Sequence, residues 1–172
     1  MTVTFPPGLE AAGTGAVFLA PAIANVNAPK VSEFTGSTAV DLSCHLMGFE
    51  TGADQGKVTS SRYCLRQAVE TLGRITYSIS DITVVYDPQN PDSATYKAYT
   101  ALMQGGTWAL LDRRGIESRT ALAAGQVVDV YEAVRIGAPK REPITDTEGE
   151  QLRTTFTVAV TGQVFYDKKM VA

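Results

Sequence analysis

Hydrophobic positions in this chain recur mostly at every second residue, the spacing of strands that bury one face and wet the other. In residues 152–166, Leu152, Thr154, Phe156, Val158, Val160, Val164 and Tyr166 point one way, and Arg153, Thr155, Thr157, Thr161 and Gln163 the other. Residues 126–136 repeat the pattern, with Val128, Val130, Val134 and Ile136 set against Val127, Asp129, Tyr131 and Arg135. Residues 37–46 alternate Val40, Leu42 and Cys44 with Asp41 and Ser43. In GRITYSISDITVVY (73–86), Ile75, Tyr77 and Ile79 share a face until Ser80–Asp81, where the phase slips and Ile82, Val84 and Tyr86 take over. A slip of one within a β-branched run marks a bulge or a bend. Residues 107–112 add a short strand with the single tryptophan, Trp108. Long strands with one polar face predict an antiparallel sheet and argue against a parallel α/β one.

One helix interrupts the strands, over about residues 92–104. Asp92 or Ser93 caps it behind Pro91, Ala94, Ala98, Ala101 and Leu102 form its apolar side, and Gly105-Gly106 ends it. The expected fold is therefore mainly β, an antiparallel sandwich or barrel with one flanking helix and an extended N-terminal arm.

Two stretches fit neither period. Residues 1–30 carry Pro6, Pro7, Pro21 and Pro29 and almost no charge, yet Val17, Phe18, Leu19, Ile23 and Val26 are too apolar for water. Such an arm docks either on its own domain or on a neighbouring subunit, and the sequence leaves both open. Residues 31–172 then form a single β domain. Within it, residues 48–67 make a polar excursion, a loop or a two-stranded flap, with Phe49, Tyr63 and Leu65 as apolar anchors.

Composition narrows the function. The 172 residues carry 15 Lys+Arg and 18 Asp+Glu, a net charge of −3 without a basic run, so tight nucleic-acid binding is not expected. Residues 11–20 are apolar but too short to span a bilayer and lack a positive leader, so neither export nor membrane insertion is expected. Cys44 and Cys64 are expected as buried free thiols.

The single histidine, His45, follows Cys44 directly, and neighbours on a strand face opposite ways, so no metal site is expected. Gly13-Thr14-Gly15 lacks the remaining parts of a phosphate loop. Cys64 lies between Arg62 and Arg66, which favours a thiolate only weakly. No two carboxylates stand out as a catalytic pair, and Asp112-Arg113-Arg114 reads as strand-end ion pairing. No enzyme and no cofactor emerges.

Three segments, DLSCHLMGF (41–49), GRITYSISDITVVYDPQNPDS (73–93) and LAAGQVVDVYEAVRIGAPKREP (122–143), with the closing strand VAVTGQV (158–164), resemble the major tail, or tail tube, proteins of long-tailed phages of actinobacteria. The resemblance spans residues 16–166. It implies a β-sandwich or barrel with a flanking helix, six subunits to a ring, and rings stacked into a hollow tube in the virion tail. It also implies assembly in the host cytoplasm, with tape measure and tail terminator proteins as partners and DNA passing without specific binding. The bridges between rings correspond to residues 1–30, 48–67 and 167–172, which makes Val17, Phe18, Leu19, Ile23, Phe49, Arg62, Tyr63 and Arg66 contact candidates. Asp129, Thr155, Thr157, Thr161 and Gln163 are candidates for the lumen wall. The competing readings are a tail terminator, a tube protein of a contractile system, or a small-ligand-binding β-barrel.

Overall fold

A computed structural model describes residues 8, 11–64, 66–90, 96–144 and 151–172. The chain is mainly β. Its principal sheet centres on β6 (Gly106–Arg114) and β7 (Val127–Arg141). β1 (Gly15–Ala20) and then β2 (Val40–Asp41) continue it beyond β6, while β8 (Arg153–Val160) and β5 (Ile82–Val85) continue it beyond β7. β9 (Val164–Lys169) follows β8 along the same side of β7, and every strand pair is antiparallel. The remaining strands, β3 (Thr51–Ser60) and β4 (Val69–Ile79), form a separate two-stranded hairpin.

The run expected over 152–166 is thus β8 and β9, one line of chain kinked at residues 161–163. The kink is built on Gly162, where a Cβ would fall 2.7 Å from the Ala133 amide nitrogen. That approach lets the Thr161 and Gly162 N–H groups both donate to the Ala133 carbonyl (2.9 and 3.0 Å), while Glu132 N–H donates to Gln163 O (3.0 Å).

At the same point β7 carries an extra residue. Trp108 opposes Val134 but Leu110 opposes Tyr131, so the side-chain phase of β7 flips between them. Val128 and Val130 therefore join one core, with Ala16, Phe18, Leu111 and Met170. Tyr131, Val134 and Ile136 join the other, with Val17, Leu19, Leu110 and Phe156. The alternation had grouped Tyr131 with the polar face. Tyr131 stays on the side of Asp129, and the bulge brings Val134 and Ile136 round to that side, where a second core leaves Tyr131 1% exposed.

Each core has its own cover. α2 (Lys97–Met103) lays Ala98, Tyr99 and Leu102 on the Val17–Phe156 side, where Tyr99 stacks on Tyr86 at 4.9 Å. It stops at Gly105, whose φ of 64° favours glycine. The expected start of this helix, Asp92 to Ala94, lies outside the described residues. α1 (Val31–Thr35), which no periodicity revealed, seats Phe34 in the other core. The Glu33 carboxylate fixes its start by accepting the Lys30 and Ala24 N–H groups, both at 2.9 Å.

Several expectations change. Residues 15–20 are a buried central strand, so of the two alternatives for the apolar stretch, these residues pack on their own domain. The strand expected over 37–46 shrinks to Val40–Asp41, because Asp41 Oδ1 accepts the Ser43 N–H (2.9 Å) and Oγ–H (2.6 Å) and closes a turn. Cys44 follows that turn and Cys64 lies beyond the end of β3, so both thiols are free and exposed rather than buried. The chain end is tied down, with Met170 2% exposed and Val171 N–H donating to Pro29 O at 2.9 Å.

Candidate subunit interface

The hairpin dominates the surface. β3 pairs with β4 from Thr51↔Ile79 to Ser60↔Val69, and the break in phase expected at Ser80–Asp81 is where β4 gives way to β5. Residues 73–79, read as the start of a core strand, thus form the proximal half of a projecting arm in which Ile79 alone is buried among the described residues. Ile75 pairs with Gln55 and Leu72 with Lys57, two positions further along β3, so the bulge between them keeps Leu72 on the face of Ile75 and Tyr77. That face is an apolar stripe running out of the core, with Ile75 44% and Leu72 69% exposed, ending at the solvated Lys57–Glu70 pair (3.8 Å). Covering either side chain would contribute roughly 1–2 kcal/mol.

Two attachments fix the base. The Glu50 N–H donates to Ser80 Oγ (2.9 Å) and the Ser80 N–H to Glu50 O (2.8 Å). Arg114, at the end of β6, donates through Nη2 to Thr51 Oγ1 (2.8 Å) and holds the Asp112 carboxylate at 2.7 Å. Asp112 has a side chain only 4% exposed, and burial raises its pKa above the ordinary aspartate value, with Arg114 pulling the other way. Asp129 lies directly opposite on β7 and adds to the upward push. Burial likewise raises the neighbouring Tyr131 phenol, against the Thr51 hydroxyl.

Beside this base lies an open groove of about 1210 Å3. One wall is the backbone of Gly13 to Val17, and the other is the turn from Ser43 through Leu46, Met47 and Phe49 to Glu50. Asp112 and Arg114 close its end.

The inter-subunit candidates therefore separate. Val17, Phe18 and Leu19 are interior residues of β1, at most 7% exposed, and Ile23 packs half-buried near Phe34. Phe49 lies in the groove, and Arg62, Tyr63 and Arg66 are exposed beyond the end of β3. Leu65 lies outside the described residues.

The lumen candidates do not share one face. Thr155 and Thr157 alternate with buried Phe156, and Thr155 bonds the hydroxyl of Thr83 (2.7 Å) and the Glu142 carboxylate (2.8 Å). Asp129 lies on the opposite side, that of Tyr131, and accepts the Asp167 N–H (3.0 Å), pinning a residue at φ 54°. Thr161 and Gln163 occupy the kink, where Thr161 Oγ1 donates to Ala133 O and Gln163 N–H to Glu132.

The fold is an antiparallel β architecture carrying a two-stranded arm with exposed apolar side chains. The profile of the phage tail tube protein family matches residues 3–172, and the chain belongs to that family. Membership implies a structural, non-enzymatic component of a virion tail. Among solved structures, one chain of the six-fold symmetrised anti-feeding prophage baseplate is similar with a TM-score of 0.49 and 6% identity, over 95% of this chain and 98% of that one. No curated protein matches.

Proposed function

We propose that the chain is the tail tube subunit of a long-tailed phage, of the type infecting actinobacteria, and that it self-assembles into hexameric rings stacked as a hollow tube. DNA passes through the lumen without specific binding. Assembly takes place in the host cytoplasm around a tape measure protein and stops at a tail terminator. Residues ahead of β1 serve as the arm between rings, alongside the hairpin.

The observation that carries this reading is the hairpin itself. A two-stranded ribbon is marginal alone in water, yet this one spends 21 residues, 10 in β3 and 11 in β4, on an arm with an uncovered apolar stripe. A neighbouring subunit is the partner a tail tube protein always has at hand. The open outer side of β9 and the short edge strands β2 and β5 suit lateral closure into a ring, which removes exposed edges.

Negative-stain electron microscopy of the concentrated protein, with solution mass measured alongside, tests it. Hollow tubes or stacked six-fold rings of uniform width are expected. A species that remains a monomer at every concentration and with added tape measure protein would overturn it.

A further inference from the structure

The root of the hairpin is tied to the sheet through a titratable group. Glu50 and Ser80 bond each other, so they hold the two strands of the arm together and not the arm to the sheet. Among the described residues, the side-chain hydrogen bond that crosses to the sheet runs from Arg114 to Thr51 (2.8 Å). The ring of Tyr77 on β4 lies 6.1 Å from that of Tyr166 on β9 and supports it. Arg114 is held in place for that bond by Asp112, whose Oδ2 accepts from Nε at 2.8 Å and lies 2.7 Å from Nη2.

The two partners are unequal. The Asp112 side chain is 4% exposed and the Arg114 side chain 61%. The carboxylate is thus fixed in the sheet, and the cation is a lid over it with its own path to water. Asp129 stands directly opposite Asp112 in the β6–β7 register, an acid facing an acid. Burial and Asp129 both favour the protonated form of Asp112, whereas Arg114 favours the charged one. Val17, which faces Asp112 from β1, carries no charge. The phenols of Tyr131 on β7 and Tyr166 on β9 are pushed up by burial and stay neutral. Glu50, next to Thr51, lines the same groove as Asp112 and is a carboxylate to be excluded by substitution.

We propose that Asp112, Arg114 and Thr51 form a proton-operated latch at the root of the hairpin. With Asp112 ionised, Arg114 is held between it and Thr51, and the arm keeps one angle to the sheet. With Asp112 protonated, nothing offsets the entropy lost by holding a long side chain in one rotamer. Arg114 then moves into solvent, its bond to Thr51 is lost, and the arm swings on its two chain connections. The sheet is not weakened, because protonation also removes the cost of a buried charge. The groove that Asp112 lines gives solvent protons a route. The lever is long: the ten residues of β3 span roughly 30 Å at strand rise, so a tilt of about 20° at the root moves the far end by roughly 10 Å. The latch is a property of the single chain and does not depend on the self-assembly reading.

Paired spin labels test it, one at Cys64 beyond the end of β3 and one at Ala124→Cys in the exposed loop ahead of β7. The chain carries Cys44→Ser and is diluted with unlabelled protein, so distances between copies do not contribute. From pH 7 towards 4 the distance distribution should broaden reversibly by several ångströms, with a midpoint above the ordinary aspartate range. Asp112→Asn, and separately Thr51→Val, should give the broad distribution at pH 7 already and abolish its pH dependence. Asp129→Asn should lower the midpoint, because the opposing acid is gone, and a merely structural role for Asp112 would not produce that shift. Glu50→Gln should leave the midpoint in place. A wild-type distribution that does not change between pH 7 and 4 overturns the latch. So does a pH dependence that survives in Asp112→Asn, or in Thr51→Val should the first variant not fold.

Discussion

Arg113 offers the sharpest test of the packing argument. Its residue exposure is 0%, it has no carboxylate in hydrogen-bonding contact, and its guanidinium is wrapped by the loop between β6 and β7. Nη1 donates to Thr120 O at 2.7 Å and more loosely to Ala121 O (3.4 Å) and Gln126 Oε1 (3.2 Å). Nη2 donates to Glu117 O at 2.9 Å and Ser118 O at 3.4 Å. Burial lowers its pKa, with Asp41 opposing, but from so high a starting point that it stays charged at neutral pH.

Replacing it with Met in Arg113→Met removes two short charge-assisted bonds, each worth about 1.5–3 kcal/mol. It also removes the cost of holding a cation in the interior, which offsets part of that loss. The net destabilisation expected is about 2–3 kcal/mol. For a domain of this size that lowers Tm by roughly 4–12 °C. The loss should also be local first. Gly115 N–H donates to Thr14 O and Ser118 N–H to Gly13 O, both at 2.8 Å, so amide exchange should accelerate at these two positions as the loop loosens. Arg113→Lys, with a point charge that reaches fewer carbonyls, should fall between. A Met variant with unchanged Tm and unchanged exchange at 115 and 118 would show that the guanidinium does not organise the loop.

Other perturbations separate folding from assembly. Leu72→Ser and Ile75→Ser remove only exposed side chains, so monomer stability should change by no more than about 0.5 kcal/mol, while tube formation seen by microscopy falls sharply. Gly162→Ala places a methyl 2.7 Å from the Ala133 nitrogen and 2.8 Å from its Cβ, and thermal melts should show a cost of about 1–3 kcal/mol. The folded pKa of Asp112 is raised above the unfolded one, so its contribution is most favourable below the unfolded pKa and is lost as pH rises through the folded one. Denaturant titrations should accordingly show wild type gaining on Asp112→Asn as pH falls from 7 towards 4, and a pH-independent difference would contradict the burial argument. Deleting residues 1–10 stops short of β1 and should leave a folded subunit whose tubes are shortened or absent, whereas full-length tubes would remove the arm from the inter-ring contact.

Much of the sheet was legible because alternation reports burial directly. Phe156, Val158 and Val160 lie on the inner side of β8, as their spacing requires, and Ile82 and Val84 are fully buried in β5. The failures have a common cause. Alternation has no means of registering an inserted residue until its consequences accumulate, so the β7 bulge moved Val134 and Ile136 to the side of Tyr131 and away from Val128 and Val130. It also cannot separate a buried strand from a ribbon in solvent. Ile75 and Tyr77 continue the phase of Ile79 whether or not a second layer covers them, and here Ile75 is exposed while Tyr77 is only half-covered, against Tyr166 at 6.1 Å. Nor did Val17–Ala20 show that they form a strand, because β1 is buried on both faces and its sequence is therefore continuously apolar.

The interface was harder to read for a deeper reason. An isolated subunit buries what it needs to fold, and the residues it leaves for a neighbour look like ordinary loop positions. Arg62, Tyr63 and Arg66 were singled out only because the resemblance places a bridge between rings over residues 48–67. Met47, Glu50 and the glycines at 13 and 15 could not be, because a groove is a relation between segments that only the fold brings together. Its two walls come from chain regions some thirty residues apart, joined through Leu42 N–H to Val17 O (2.9 Å) and Val17 N–H to Ser43 Oγ (3.0 Å). Those bonds exist because Asp41 ends β2 early. The same turn that defeats the strand expected over 37–46 therefore leads the chain away from β1, and the groove lies between the two. A segment that alternates like a strand yet carries an Asp-x-Ser turn is where this sequence departs from its own pattern, and departures of that kind gather where a protein gives up regularity for contact.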